Sequence, residues 1–98
     1  MKVKVTRRAE RCIETVDRFW RKNRLEAPDL FKEELAAAEV RLSEDPNAGK
    51  ACVVGGKQLR RLLLERTEQW LYYVVRPKQE LVVVRTIWGA RRGRDPKI

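Results

Sequence analysis

The hydrophobic period changes once along this chain, at Gly49. Before that point apolar residues recur at helical spacing. Ala9, Cys12, Ile13, Val16, Phe19 and Trp20 stand at offsets 0, 3, 4, 7, 10 and 11, one face of an α-helix. Arg8, Glu10, Arg11, Glu14, Asp17, Arg18 and Arg21 fill the solvated face. Thr6 supplies a hydroxyl that caps the first turn. After a break at Asn23 to Ala27, Pro28 suits a first helical turn and Asp29 complements the helix dipole. Leu30, Phe31, Leu35, Ala38 and Leu42 then form a second apolar stripe, and Ala36 and Ala37 let a neighbouring helix come close. SEDPNAG (43–49) ends the pattern with a Pro and a Gly.

Beyond Gly49 the apolar residues stand in short runs rich in β-branched and aromatic side chains: ACVV (51–54), QLRRLLLER (58–66), QWLYYVV (69–75) and LVVVRTIW (81–88). Gly55-Gly56-Lys57 lacks the glycine spacing and the following Ser or Thr of a phosphate loop, so it reads as a bulge or kink between two strand segments. Thr67-Glu68 and RPKQ (76–79) separate the later runs, and Pro77 suits the second position of a β-turn. Connections this short make antiparallel neighbours. Lys2 to Val5 alternates as a short strand. The order reads β-α-α-β-β-β, an α+β fold of two layers. A helical hairpin packs on one face of an antiparallel sheet whose last two strands are central. The length allows one domain, 1–98, with 89–98 as a basic tail. Asp95-Pro96 hints at a turn in that tail.

Charge narrows the partners. The chain carries 23 basic and 14 acidic residues, a formal +9. They are unevenly spread: residues 27–48 hold two basic and six acidic side chains, whereas 49–98 hold twelve and four. A polyanion or an acidic protein is the expected partner. No apolar run reaches the ~20 residues of a bilayer span, and the first residues lack an apolar h-region, so a cytoplasmic chain without a membrane partner is expected. Cys12 and Cys52 lack the close neighbours of a metal site and read as free thiols in a reducing compartment. Neither metal nor cofactor is expected.

The sequence has no histidine, which removes the side chain that titrates nearest neutral pH. No acidic pair is aimed at one point. What remains is a basic surface. Strand alternation puts Leu59, Arg61 and Leu63 on one face and Arg60, Leu62 and Leu64 on the other. One of Arg60 and Arg61 therefore faces away from the helices. Tyr72 and Tyr73 point to opposite faces in the same way. Arg85 is the odd residue of an apolar strand: an edge charge, a salt bridge to Glu65 or Glu68, or a functional group. Trp88 is either core packing or, with Arg91, Arg92 and Arg94, a stacking-plus-phosphate surface.

RRLLLERTEQWLYYVV followed by VVVRTIWGARRGRDP, in this element order, resembles the RelE/ParE superfamily of bacterial toxins, the toxin halves of type II toxin–antitoxin pairs. The resemblance covers nearly the whole chain. It rests on the double arginine before an apolar strand, the aromatic YYVV strand and the final strand closing on IWGARRG. One branch of that family cleaves messenger RNA in the ribosomal A site, using basic residues and a Tyr or His near the C-terminus. The other poisons DNA gyrase without a nuclease site. By the resemblance, one family arginine falls near Glu65, with Arg66 beside it, and another falls at Arg91. Residues 93–98 contain no Tyr or His, Lys97 sits near that position, and Trp88 stands where many members have His.

The resemblance thus implies Arg91, Arg66 and Lys97 as candidate catalytic residues of an RNA-cleaving toxin, and implies still more a toxin that acts by binding, on DNA gyrase. It implies a cognate antitoxin, an acidic or amphipathic segment that folds on binding and wraps the basic sheet face. The expected contact residues are Arg60, Arg61, Arg85, Trp88, Arg91, Arg92 and Arg94. The alternatives are the ribosome-dependent messenger RNA endoribonuclease and a basic nucleic-acid-binding domain without toxicity.

Overall fold

The computed structural model describes all 98 residues. Strand β1 (Lys2–Val5) leads into helices α1 (Arg7–Asn23) and α2 (Leu30–Glu44), then strands β2 (Lys50–Val54), β3 (Lys57–Leu64), β4 (Gln69–Arg76) and β5 (Leu81–Gly89). The fold is α+β. Both helices lie on one face of a five-stranded sheet with the order β1-β5-β4-β3-β2.

Several features differ from the sequence reading. The sheet is mixed, because β1 pairs in parallel with β5, Lys2 beside Leu81 through Val5 beside Val84. Only β2 to β5 form an antiparallel meander. Short connections dictate antiparallel pairing, but β1 is separated from β5 by the helices and three strands, and nothing local sets its direction. The second difference is Gly55-Gly56, with φ of 57° and 76°. Two consecutive positive φ values make the two-residue hairpin turn that only glycine enters without strain. So β2 and β3 are separate strands, not one kinked strand, and the order is β-α-α-β-β-β-β. Pro77 opens a 3₁₀ turn (Pro77–Gln79) closed by Glu80 at a φ of 50°, rather than a simple β-turn.

Thr6 caps α1 as its position suggests, its hydroxyl accepting from the Ala9 N–H at 3.1 Å. Helix α2 starts at Leu30, with Asp29 before it, so Pro28 lies just outside the helix. The Asp29 carboxylate binds Arg21 at 2.9 Å instead of capping. The core joins Ala9, Phe31, Leu35, Ala38 and Leu42 to Leu62, Leu64, Leu71, Tyr73, Val82, Val84 and Ile87. Cys12, Ile13, Val16 and Trp20 pack against it. Of the alanine run only Ala38 is buried; Ala36 and Ala37 are exposed.

The face away from the helices is not bare. Val54, Leu59 and Tyr72 form a second cluster there, joined by Cys52, Trp70, Val74, Trp88 and Ile98. Ile98 belongs to the tail, so the chain after β5 folds back over this outer face. Pro96 is buried in that segment, and the Lys97 carbonyl accepts from Arg8. No helix is long and apolar enough to cross a membrane.

Candidate functional site

The basic residues gather at one end of the sheet, where β3 turns into β4 and β5 stops. The turn is held by α2. One Glu34 carboxylate accepts the Arg66 N–H at 2.7 Å, the Thr67 N–H at 2.9 Å and the Thr67 hydroxyl at 2.6 Å. Glu68 then takes a φ of 57°, which turns the chain into β4. Its carbonyl accepts the Ala90 N–H at 2.9 Å and ties the start of the tail to the turn. Its carboxylate holds Arg91 through both oxygens, at 2.8 Å to Nε and 3.1 Å to Nη2.

These residues form one wall of a cleft of about 500 Å³, lined also by Phe19, Trp20, Arg24, Gln69, Gly89 and Arg92. The other wall is the last turn of α1. Arg24 closes that helix, its N–H bonding to the Trp20 carbonyl at 2.9 Å. Its guanidinium lies 5.5 Å from the Phe19 ring centroid and 5.6 Å from that of Trp20. The cleft is therefore lined by four arginines, Arg24, Arg66, Arg91 and Arg92, and by one acidic residue, Glu68.

Around the end of β5 the same chemistry continues on the outer face. Trp70 and Trp88 are cross-strand partners. Arg61 stacks on Trp70 with its guanidinium carbon 4.0 Å from the ring centroid, and Arg92 stacks on Trp88 at 4.1 Å. Arg94 lies 5.9 Å from the Trp88 ring, and its carbonyl accepts the indole N–H at 2.8 Å. Stacked guanidinium groups keep free N–H donors at their edges, so each still binds an oxyanion.

The expected residues separate into groups. Arg66, Arg91 and Arg92 meet at the cleft. Arg61, Trp88 and Arg94 belong to the adjoining outer face. Arg60 faces the helix side, where its Nη2 bonds to the Asn47 and Gly49 carbonyls at 3.1 and 2.6 Å, so it holds the α2–β2 loop. Arg85 is the extra residue of a β-bulge, since Tyr73 pairs with Val84 and Tyr72 with Thr86. Its guanidinium makes no ion pair with Glu65 or Glu68; Glu68 is taken by Arg91. Lys97 is exposed beside Arg8 at the first turn of α1, a helix length of about 24 Å from the cleft.

Neither tyrosine is free at the surface: both are buried, Tyr73 under the α2–β2 loop and Tyr72 in the outer cluster beneath Arg61. Cys12 and Cys52 are free thiols, each half-buried. Burial pushes the Cys52 thiol up and Asp95 adds to that, while Arg61 and Arg60 oppose it. Sequence reasoning missed Arg24 and Glu34, named Glu68 only as a partner for Arg85, and assigned Phe19 wholly to the core although it is 49% exposed.

No family model matches the chain, and no curated protein matches it.

Proposed function

We propose that this chain is the toxin half of a type II toxin–antitoxin pair, of the RelE/ParE kind, and that it stops growth by binding its target rather than by cutting RNA. DNA gyrase is the favoured target. One observation carries the binding mechanism. The cleft that gathers Arg66 and Arg91 holds no histidine or tyrosine, and its one carboxylate, Glu68, is ion-paired through both oxygens with Arg91. Strand-cleaving acid–base chemistry needs such a group within reach of the ribose. A binding surface needs only what is present: fixed guanidinium forks and apolar rings.

The antitoxin in this reading is an acidic segment that folds along the basic end of the sheet, its carboxylates paired by Arg61, Arg85, Arg92 and Arg94 and by the edge of the exposed Arg91 that Glu68 does not use. Arg60 is left out because its donors serve the loop. The test is induced expression in a bacterial host, with plasmid supercoiling and messenger RNA integrity followed together. Growth arrest with altered supercoiling or DNA breaks and intact messages supports the reading. Codon-phased message cleavage overturns the binding mechanism, and the absence of arrest overturns the toxin assignment. Replacing Arg91 and Arg92 by Ala should abolish the arrest.

A further inference from the structure

We infer that strand β2 is a docking edge for a second copy of this chain. The two copies pair antiparallel about a two-fold axis at Cys52, so that two five-stranded sheets become one continuous sheet. This goes beyond the toxin reading and does not depend on it.

The sheet has two edges, and they are built differently. β1 is short, and its Lys2 and Lys4 are exposed. Lysines on a short edge strand discourage further pairing. β2 carries one charge, Lys50 at its start. Val53 is 63% exposed, and Ala51 is exposed on the same face of the strand. The helices leave that face open: α1 packs on β5, and α2 on β1 and β3. A groove of about 570 Å³ runs beside Ala51 and Val53, walled by Asn47, Gln58, Val75 and Pro77.

The hairpin decides which backbone groups of β2 point outward. Val54 and Lys57 close a two-residue turn, so they exchange both of their hydrogen bonds. Direction then alternates along the strand. Val54 and Cys52 turn N–H and C=O toward β3, whereas Val53 and Ala51 turn theirs to the edge. No turn or loop backbone bond uses these four outward groups.

One register satisfies all four. With Cys52 opposite Cys52 of the second copy, Ala51 stands opposite Val53 on both sides of the axis, and each such pair exchanges two hydrogen bonds. An axis at Ala51 would set Val53 against Gly49, whose N–H and carbonyl already serve Tyr73 and Arg60. An axis at Val53 would set Ala51 against the turn at Gly55. The Cys52 register also brings the exposed Ala51 and Val53 side chains together, the self-complementarity that a two-fold interface requires. Lys50 falls opposite Val54, and the two Lys50 residues stand about 14 Å apart along the strand, beyond the screening length of about 8 Å at physiological salt. An acidic segment fits this edge less well, because its carboxylates would find only Lys50 there. The contact is small, so association is weak and reversible. It stops at two copies, because the lysines of β1 guard the other edge.

The experiment is sedimentation velocity on the full chain over a concentration series. The expected result is a monomer–dimer equilibrium that tightens as salt rises, since each copy carries +9. Contacts with a polyanion weaken with salt instead. Val53→Lys alters an exposed side chain and should weaken the dimer at least about tenfold, with the circular dichroism spectrum unchanged. Val40→Lys makes the same change on α2, where Val40 is 57% exposed, and should have no effect. The two Cys52 residues form a non-hydrogen-bonded pair with Cα atoms about 4.5 Å apart, within disulfide reach. Diamide, which takes up the two thiol hydrogens, should therefore link the dimer through Cys52 on both sides, as peptide mapping would show. A chain that stays monomeric at every concentration overturns the proposal. So does a dimer that Val40→Lys weakens as much as Val53→Lys, one that salt disperses, or a link through Cys12. A monomeric chain that binds a glutamate-rich peptide, and binds it more tightly after Val53→Lys, would assign the edge to an acidic strand and refute the dimer.

Discussion

Replacing Tyr73 by Phe removes one oxygen and tests how the α2–β2 loop is fastened to the sheet. Tyr73 is wholly buried. Its hydroxyl donates to the Pro46 carbonyl at 2.8 Å and accepts from the Gly49 N–H at 2.9 Å. Gly49 is itself buried, so its N–H finds no water once the oxygen is gone. An orphaned buried donor costs about 1–3 kcal/mol, whereas the half-exposed Pro46 carbonyl regains water and loses about 0.5 kcal/mol. Together that is about 2 kcal/mol, or about 8–16 °C in Tm for a domain of this size.

Gly49→Ala strikes the same place from the other side. A Cβ there would stand 2.5 Å from the Arg61 carbonyl oxygen and 2.7 Å from the Tyr73 hydroxyl. The first obstacle is strand backbone and cannot move aside, so the substitution should cost at least about 2 kcal/mol. In the Tyr73→Phe background the second obstacle is absent. Gly49→Ala should therefore cost less there, by about 1 kcal/mol, but not nothing. Urea denaturation followed by circular dichroism measures all four corners of the cycle. Additivity within about 0.4 kcal/mol would refute the shared-contact argument, as would an unchanged midpoint for Tyr73→Phe.

Two further outcomes follow from the turn and from the helices. Glu34→Ala should destabilise by about 2 kcal/mol, since three donors lose a charged acceptor; hydrogen exchange should speed up first at Arg66 and Thr67, and uniform acceleration across the sheet would contradict a local fastening. Glu39 is partly buried, and desolvation raises its pKa while Lys32 opposes the shift. A carboxyl whose folded pKa is raised binds its proton more tightly in the folded state, so its contribution falls as pH climbs through that pKa. Glu39→Gln should accordingly be more stable than the parent at neutral pH, with the advantage fading in acid; an advantage that persists at low pH would locate its origin elsewhere.

Much of this architecture can be read from residue spacing, because spacing reports burial. The two helical stripes, the strand runs and the interior place of β4 follow from which side chains must leave water. What spacing does not report is pairing between segments far apart in the chain. Nothing in Lys2 to Val5 says that its partner is Leu81 to Val84, or that the two run in parallel. Gly55-Gly56 was open to two backbone solutions, and the tight turn is preferred because it lets β2 and β3 pair directly, Val54 opposite Lys57. The candidate site was legible only in its cations. Arg66, Arg91 and Arg92 declare themselves by charge, but Glu34 and Glu68 look like ordinary solvated acids until the fold brings them to the turn. Phe19 satisfies the helical stripe perfectly well as a core residue. Its exposure arises because the sheet ends beneath it, which no periodicity can reveal.

Where α1 begins is set by the shortness of β1. It pairs with β5 only as far as Val84, after which the Thr6 N–H bonds to the Val84 carbonyl and its hydroxyl to that of Arg85. The same hydroxyl caps α1. One threonine thus closes the parallel ladder and starts the helix, and β5 continues from Arg85 to Gly89 with α1 rather than a strand beside it. From this origin α1 rises about 25 Å over its 17 residues, enough to carry its last turn past the end of the sheet. Phe19, Trp20 and Arg24 reach Gly89 and Arg92 because start point and length agree. One alanine inserted between Arg18 and Phe19 would rotate those three residues by about 100° relative to the core stripe. The helix would still pack through Ala9, Cys12, Ile13 and Val16, so the chain should fold with the cleft taken apart. If such an insertion left the proposed growth arrest untouched, the far end of α1 could not be one wall of the site.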